Sequence, residues 1–226
     1  MADTKKPLVY MLVDRKELFR TDEEKLERFA LDKYAPYADW DIVNPSKHQV
    51  EVFPDEETAL SQYLVANLPA PITDYCFYLA YGEDLSEKIF CDRLKSLGFS
   101  EMPILACQLH LPVAAYFAEG TLLLDSQKEG TTQCRGYLIT KEQFNALSKF
   151  YGKHGDSVIK MTGLGPGVEG YALTSKEVLP PSDPDFEYIN RMLTGLSELG
   201  IDLIDGLTYI SLITGLADKI IEKHQA

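Results

Sequence analysis

Two adjacent carboxylates that follow a glycine are the first residues in this chain whose types and spacing suggest chemistry. The run Phe77-Tyr-Leu-Ala-Tyr-Gly-Glu-Asp-Leu85 starts as an apolar strand and ends in a turn at Gly82. A glycine there lets the backbone bend sharply and leaves amides pointing outward. Such a bend at a helix start is a cradle for an anion. Glu83 and Asp84 are unexpected in that setting, because their own carboxylates compete for the same amides. The plainer reading makes Asp84 a helix cap and Glu83 a solvated charge.

Other chemical patterns are weaker. Gly165-Pro-Gly167-Val-Glu-Gly170 matches a dinucleotide-binding glycine loop by letter. That loop must follow a strand and open a helix. Here Tyr171-Ala-Leu-Thr follows, a strand pattern, so the run reads as a hairpin loop. The four histidines (His48, His110, His154 and His224) are scattered, and His110 sits in an apolar strand. Cys76, Cys91, Cys107 and Cys134 form no Cys-x-x-Cys pair, so neither a zinc site nor a dithiol motif is expected. They read as free thiols of a cytoplasmic protein. No metal and no cofactor is expected.

The elements that must position these residues follow from pattern. Leu8–Val13 and Gln49–Phe53 read as strands. Thr21-Asp-Glu-Glu24 has the capping-box form and predicts a helix over 22–34, with Leu26, Phe29, Ala30 and Tyr34 as its stripe. Asp55 caps a second helix to Ala66. Cys76–Ala80 is a buried strand, and Asp84 with Glu87 predicts a helix to Leu97. Strands follow at Ile104–Leu111, Ala114–Phe117, Thr121–Leu124 and Thr132–Thr140. Thr140-Lys-Glu-Gln143 opens a helix to Phe150. Ser157–Met161 and Gly170–Thr174 form a hairpin. Asp183-Pro184 starts a helix that runs to Leu199 and stops at Gly200. Short strands interleaved with helices give an α+β class, a small mixed β-barrel flanked by helices.

Composition bounds the rest. The 226 residues are 45% hydrophobic and 25% charged, enough for a real core. A net charge of −13 repels phosphate backbones and anionic lipid, so nucleic acid and membrane surfaces are excluded as partners. No apolar stretch approaches the ~20 residues of a membrane helix. The tail Ile201–Ile221 is broken by Asp202, Asp205, Gly206 and Asp218. Nothing at the start of the sequence has the form of an export signal. All 15 glycines lie at or after Gly82, and Asn67-Leu-Pro-Ala-Pro-Ile-Thr-Asp74 reads as a join. The expected division is therefore an N-terminal α/β extension, 1–75, and a core domain, 76–226. The extension has two candidate roles, covering the mouth of the core or making a homo-oligomer contact. Trp40 with Tyr34, Pro36 and Tyr37 reads as core packing or as a lid.

The run at 77–85 resembles the signature of the γ-glutamylcyclotransferase family, Tyr-Gly-Ser-Asn-Leu after an apolar strand. Gln133-Cys-Arg-Gly-Tyr-Leu-Ile139 is similar to that family's central strand. Gly170-Tyr-Ala-Leu-Thr-Ser175 and Pro180-Pro-Ser-Asp-Pro-Asp-Phe-Glu-Tyr188 resemble its last strand and a following helix start. The likeness spans roughly residues 76–210. It implies a small mixed barrel whose signature loop holds a γ-glutamyl group by its amides. A glutamate moves one proton while the α-amine closes on the γ-carbonyl, releasing 5-oxoproline without a cofactor. Carried onto this chain, the substrate-binding residues are Tyr78, Tyr81, Gly82, Asp84, Leu85, Arg135 and Tyr171.

The chain departs from the family at two places. The catalytic glutamate of the Leu-Asp-x-x-Glu-Gly pattern corresponds to Tyr151 in Leu147-Ser-Lys-Phe-Tyr-Gly152. An ordinary tyrosine titrates near ~10 and is a poor base at neutral pH. Glu83-Asp84 replaces Ser-Asn, and carboxylates there repel a substrate carboxylate by about 4 kcal/mol at ~4 Å and an effective dielectric of 20. Three readings stay open. In the first, the scaffold is repurposed for cyclisation, isomerisation or elimination of a neutral or cationic small molecule, with catalytic Glu83 or Asp84 as base and Tyr151 as hydroxyl donor. The second is a true γ-glutamyl cyclotransferase acting on γ-glutamyl or glutathione-derived substrates. The third is a non-catalytic relative that binds a ligand or partner.

Overall fold

A computed structural model describes residues 9–22, 25–29, 40–103, 106–162 and 168–214. The aromatic cluster at Tyr34, Pro36 and Tyr37, the loop at Gly165–Gly167, and the ends of the expected tail and of the 22–34 helix lie outside the described residues. The chain divides into two compact units, 1–75 with 162–169, and 76–161 with 170–226.

The first unit is a four-stranded antiparallel sheet. Its strands are β1 (Val9–Val13), β2 (Glu17–Asp22), β3 (Lys25–Phe29) and β4 (Val50–Phe53), in the order β3-β2-β1-β4. Met11, Val13, Phe19, Leu26 and Val43 form its apolar cluster. Helix α1 (Glu56–Asn67) starts where Asp55 accepts from the Thr58 amide at 2.7 Å. The helix expected over 22–34 is corrected: residues 25–29 are strand β3. The capping-box letters lose to pairing across the hairpin. Thr21 faces Leu26, and Arg20 faces Glu27 and donates to its carboxylate at 2.7 Å. A cross-strand ion pair and a buried leucine outweigh a marginal local helix signal.

The second unit carries β5 (Tyr75–Ala80), a 3-10 turn at Gly82–Leu85, and α2 (Glu87–Ser96). Strands β6 (Ala106–Leu111), β7 (Ala114–Ala118), β8 (Thr121–Asp125) and β9 (Thr132–Thr140) follow. Next come α3 (Lys141–Tyr151), the hairpin β10 (Ser157–Met161) and β11 (Gly170–Thr174), and then α4 (Phe186–Glu198) and α5 (Leu203–Thr214). One sheet has the order β10-β11-β5-β9-β6, while β7 and β8 form a two-stranded ribbon, with an isolated bridge from Ala118 to Pro181. The class is α+β. The expected barrel is not what the described strands form: no ladder joins β6 to β10, and the β7–β8 ribbon meets the sheet through the Thr174 hydroxyl, which bonds the Leu124 amide and carbonyl at 3.1 and 3.0 Å, rather than through a ladder. No helix among the described residues is long and apolar enough to cross a membrane.

Local chemistry explains the helix boundaries. Thr140 and Gln143 form a reciprocal capping box at 3.1 and 2.9 Å, as the sequence pattern predicts. The cap of α4 is Asp185 rather than Asp183; its carboxylate accepts from the Tyr188 amide at 2.6 Å. Asp84 does not cap α2, whose N-cap is Ser86. The turn packs on α4 so closely that a Cβ on Gly195 would fall 2.5 Å from the Ser86 amide nitrogen and 2.6 Å from the Leu85 carbonyl carbon. Backbone cannot yield as a side-chain tip can. Gly195→Ala is therefore expected to lower stability by about 1–3 kcal/mol in chemical denaturation; an unchanged midpoint would show that α4 and the turn are free to separate.

Candidate functional site

Strand β5 is buried along its whole length, so it delivers the turn after it to a fixed place. Gly82 has φ +71°, a left-handed conformation that side chains resist, and a Cβ there would collide with the Tyr188 hydroxyl. The turn then sends Glu83 and Asp84 to different surroundings. The Asp84 side chain is 1% exposed and that of Glu83 is 21% exposed.

Burying Asp84 requires partners, and they come from three elements. Tyr78 of β5 donates its hydroxyl to Asp84 Oδ2 at 3.0 Å, and Tyr151 at the end of α3 donates to the same oxygen. Arg93 of α2 lies 2.5 Å from Asp84 Oδ1. The same guanidinium lies 2.5 Å from Glu83 Oε1, and it also donates to the Tyr151 hydroxyl. Arg191 of α4 takes the other Glu83 oxygen at 2.6 Å. Both guanidiniums sit over aromatic rings. Arg93 Cζ is 5.2 Å from the centroids of Phe150 and Tyr151, and Arg191 Cζ is 5.9 Å from that of Tyr188.

These groups edge a narrow cleft whose enclosed space is about 30 Å³ and which opens to solvent. Its walls are Tyr78 and Tyr81, Glu83, Thr121–Leu123 of the ribbon, Tyr151 and His154, Leu173 and Tyr188. Thus Tyr78, Tyr81, Glu83 and Tyr151 share one hollow, with Asp84 directly behind it. Tyr81 is anchored by its hydroxyl, which donates to the Leu173 carbonyl.

Leu85, Arg135 and Tyr171 stand outside the lining. Leu85 is fully buried among Phe117, Leu122 and Tyr188. Arg135 lies under the turn, donating to the Leu85 carbonyl at 3.0 Å and to Glu198 Oε2 at 2.8 Å. Glu198 also accepts from the Ser86 hydroxyl at 2.7 Å and the Glu87 amide at 2.8 Å, so it caps α2 from α4. Arg135 therefore braces the turn. The Tyr171 ring lies tilted against that of Phe144, with centroids 5.5 Å apart.

Arg93 and Arg191 are the functional residues that pattern reading missed. Arg93 had a signal: it lies three positions after Phe90 and four before Leu97, a charge inside the apolar stripe of its helix. Glu198 and Ser86 had none, because their meeting joins residues 112 apart. Among the described residues no cluster of histidine, cysteine, aspartate or glutamate has the form of a metal site.

Desolvation dominates the Asp84 carboxyl and raises its pKa to about 6, with Glu83 adding to the rise. Arg93 and the Tyr78 hydrogen bond oppose it. Burial also pushes the Tyr78 phenol well up.

No family model matches this chain, and no curated protein matches it. Solved structures that match the chain include three with low similarity. An uncharacterized protein from Homo sapiens shares 20% identity at TM-score 0.42, over 60% of this chain and 86% of its own. A gamma-glutamyl cyclotransferase shares 18% at TM-score 0.41, over 59% and 85%. YkqA from Bacillus subtilis shares 12% at TM-score 0.40, over 93% and 88%.

A raised carboxyl pKa has a defined sign in stability. Folded Asp84 binds its proton more tightly than the unfolded chain does, so its contribution is fully present below about pH 4 and lost as pH rises through about 6. Wild type should therefore gain stability relative to Asp84→Asn as pH falls from 7 to 4, by up to about 3 kcal/mol. Parallel urea titrations of the two proteins measure the difference, and a flat difference would place the Asp84 pKa at its ordinary value.

Proposed function

We propose that this protein is a cofactor-independent acid–base enzyme acting on a small molecule, built on a γ-glutamylcyclotransferase-like scaffold. The observation that carries the reading is the hydrogen bond from Tyr151, which lines the cleft, to the buried carboxylate of Asp84. The pair answers the objection that a tyrosine is too weak a base. A substrate proton passes to the Tyr151 oxygen as the phenolic proton passes to Asp84, so the phenol is neutral before and after. Asp84, with its pKa raised to about 6, is matched to neutral operating conditions. Within this reading Asp84 is the base and Tyr151 the proton conduit. Glu83, with both carboxylate oxygens taken by arginines, supplies fixed charge at the cleft rather than the base.

Intramolecular closure of an amine on a carbonyl, an isomerisation or an elimination each needs such a pair and an oriented substrate. The resemblance of the 77–85 run to the cyclotransferase signature places ring closure first among them. The two departures from the signature, Glu83-Asp84 for Ser-Asn and Tyr151 for the glutamate, favour a repurposed substrate over a true γ-glutamyl cyclotransferase.

The test is a turnover panel of γ-glutamyl dipeptides, glutathione adducts and amino-acid amides, followed by 5-oxoproline release and by mass change. On the substrate found, kcat/KM should rise with pH through about 6 as Asp84 ionises. Tyr151→Phe should lower kcat by about 10²–10⁴, while stability falls by only about 1–3 kcal/mol as buried Asp84 loses one donor. A Tyr151→Phe enzyme of full activity removes the relay, and no turnover across the panel leaves a binding protein.

A further inference from the structure

We propose that the cleft selects an organic cation, an alkyl ammonium or guanidinium, which displaces Arg191 from Glu83. The inference rests on reading the cleft as the ligand site and adds the class of ligand.

Glu83 is the one carboxylate among the residues that line the cleft. Its carboxylate already holds two guanidiniums, and each also lies over a tyrosine ring that lines the same cleft, Arg93 over Tyr151 and Arg191 over Tyr188. The place around Glu83 is therefore built for cations twice over, by a carboxylate and by ring faces. The two arginines are not equivalent. Arg93 is 10% exposed and is bound to Asp84 and Tyr151 as well as to Glu83. Arg191 is 38% exposed, and its further partner, Glu187, is 3.5 Å away and 86% exposed. Exposed pairs of that kind are weak. Arg191 is thus the less enclosed of the two and the one a ligand can replace. A ligand cation that takes its place meets Glu83 and the Tyr188 ring, as Arg191 does. The chain's net charge of −13 also attracts cations over anions.

The experiment uses the full chain and four probes of similar size: n-butylammonium, n-butylguanidinium, neutral n-butanol and anionic butyrate. Binding is read by calorimetry, and its place by shifts of the His154 ring signals in NMR. Wild type should bind either cation at least about tenfold more tightly than butanol or butyrate. Arg191→Gln should tighten cation binding severalfold, and Glu83→Gln should abolish the preference. Equal or tighter binding of butyrate or butanol, no shift with any probe, or weaker cation binding by Arg191→Gln would each overturn the inference. Because binding is read without turnover, the two readings fail separately. Turnover without a cation preference removes this inference alone, while cation binding without turnover removes the acid–base reading alone.

Discussion

One guanidinium neutralises the charge that this fold buries. Asp84 is almost wholly removed from water and stands next in sequence to Glu83, so the turn concentrates two negative charges where solvent screens them poorly. Arg93 reaches both from α2. Without it the loss would far exceed that of an ordinary surface pair, because an uncompensated charge would remain buried. Its consequences spread through the unit. Arg93 also meets Tyr151 of α3, and Glu83 passes the connection on to Arg191 of α4. Three helices are thus tied to one four-residue turn, and the set of two carboxylates and two guanidiniums is neutral as a whole.

That arrangement puts a carboxylate directly behind a tyrosine. Tyr151 lines the cleft and donates its hydroxyl to Asp84, so the phenol connects the buried carboxylate to the cleft. The turn meanwhile gives its second carboxylate to arginines, and its backbone is braced from beneath by Arg135 and Glu198. Exposed charge, buried carboxylate and brace are therefore separate side chains that converge on six consecutive residues, 82–87.

Legibility in the sequence follows the range of the forces involved. Elements set by local chemistry read directly: the Thr140–Gln143 capping box, the Asp55 cap, the buried run of β5 and the β10–β11 hairpin. The segment after Thr21 misread as helix because its letters satisfy a cap while its partners lie across a hairpin. Asp84 misread as a cap because its alternative partners, Tyr78, Arg93 and Tyr151, converge only in three dimensions. Glu83 and Asp84 stand out by type and spacing, but Tyr151 is reached only through motif likeness, since spacing alone cannot bring residues 67 apart together. The contacts of Arg135 with the Leu85 carbonyl and Glu198 are not legible either, because a strand pattern does not say which side of a turn a side chain meets.

The ties between the turn and α4 have a further meaning for assembly. Ser86 and Glu87 reach their partner Glu198 across 112 and 111 positions, and Glu83 reaches Arg191 across 108. Contacts so distant along the chain close late, after the loop entropy between them has been overcome. During synthesis the turn would leave the ribosome long before its clamp exists, with a strained glycine and two bare acids waiting. Competence is then withheld until the second unit is nearly finished, so an incomplete chain carries the parts of the cleft without their order.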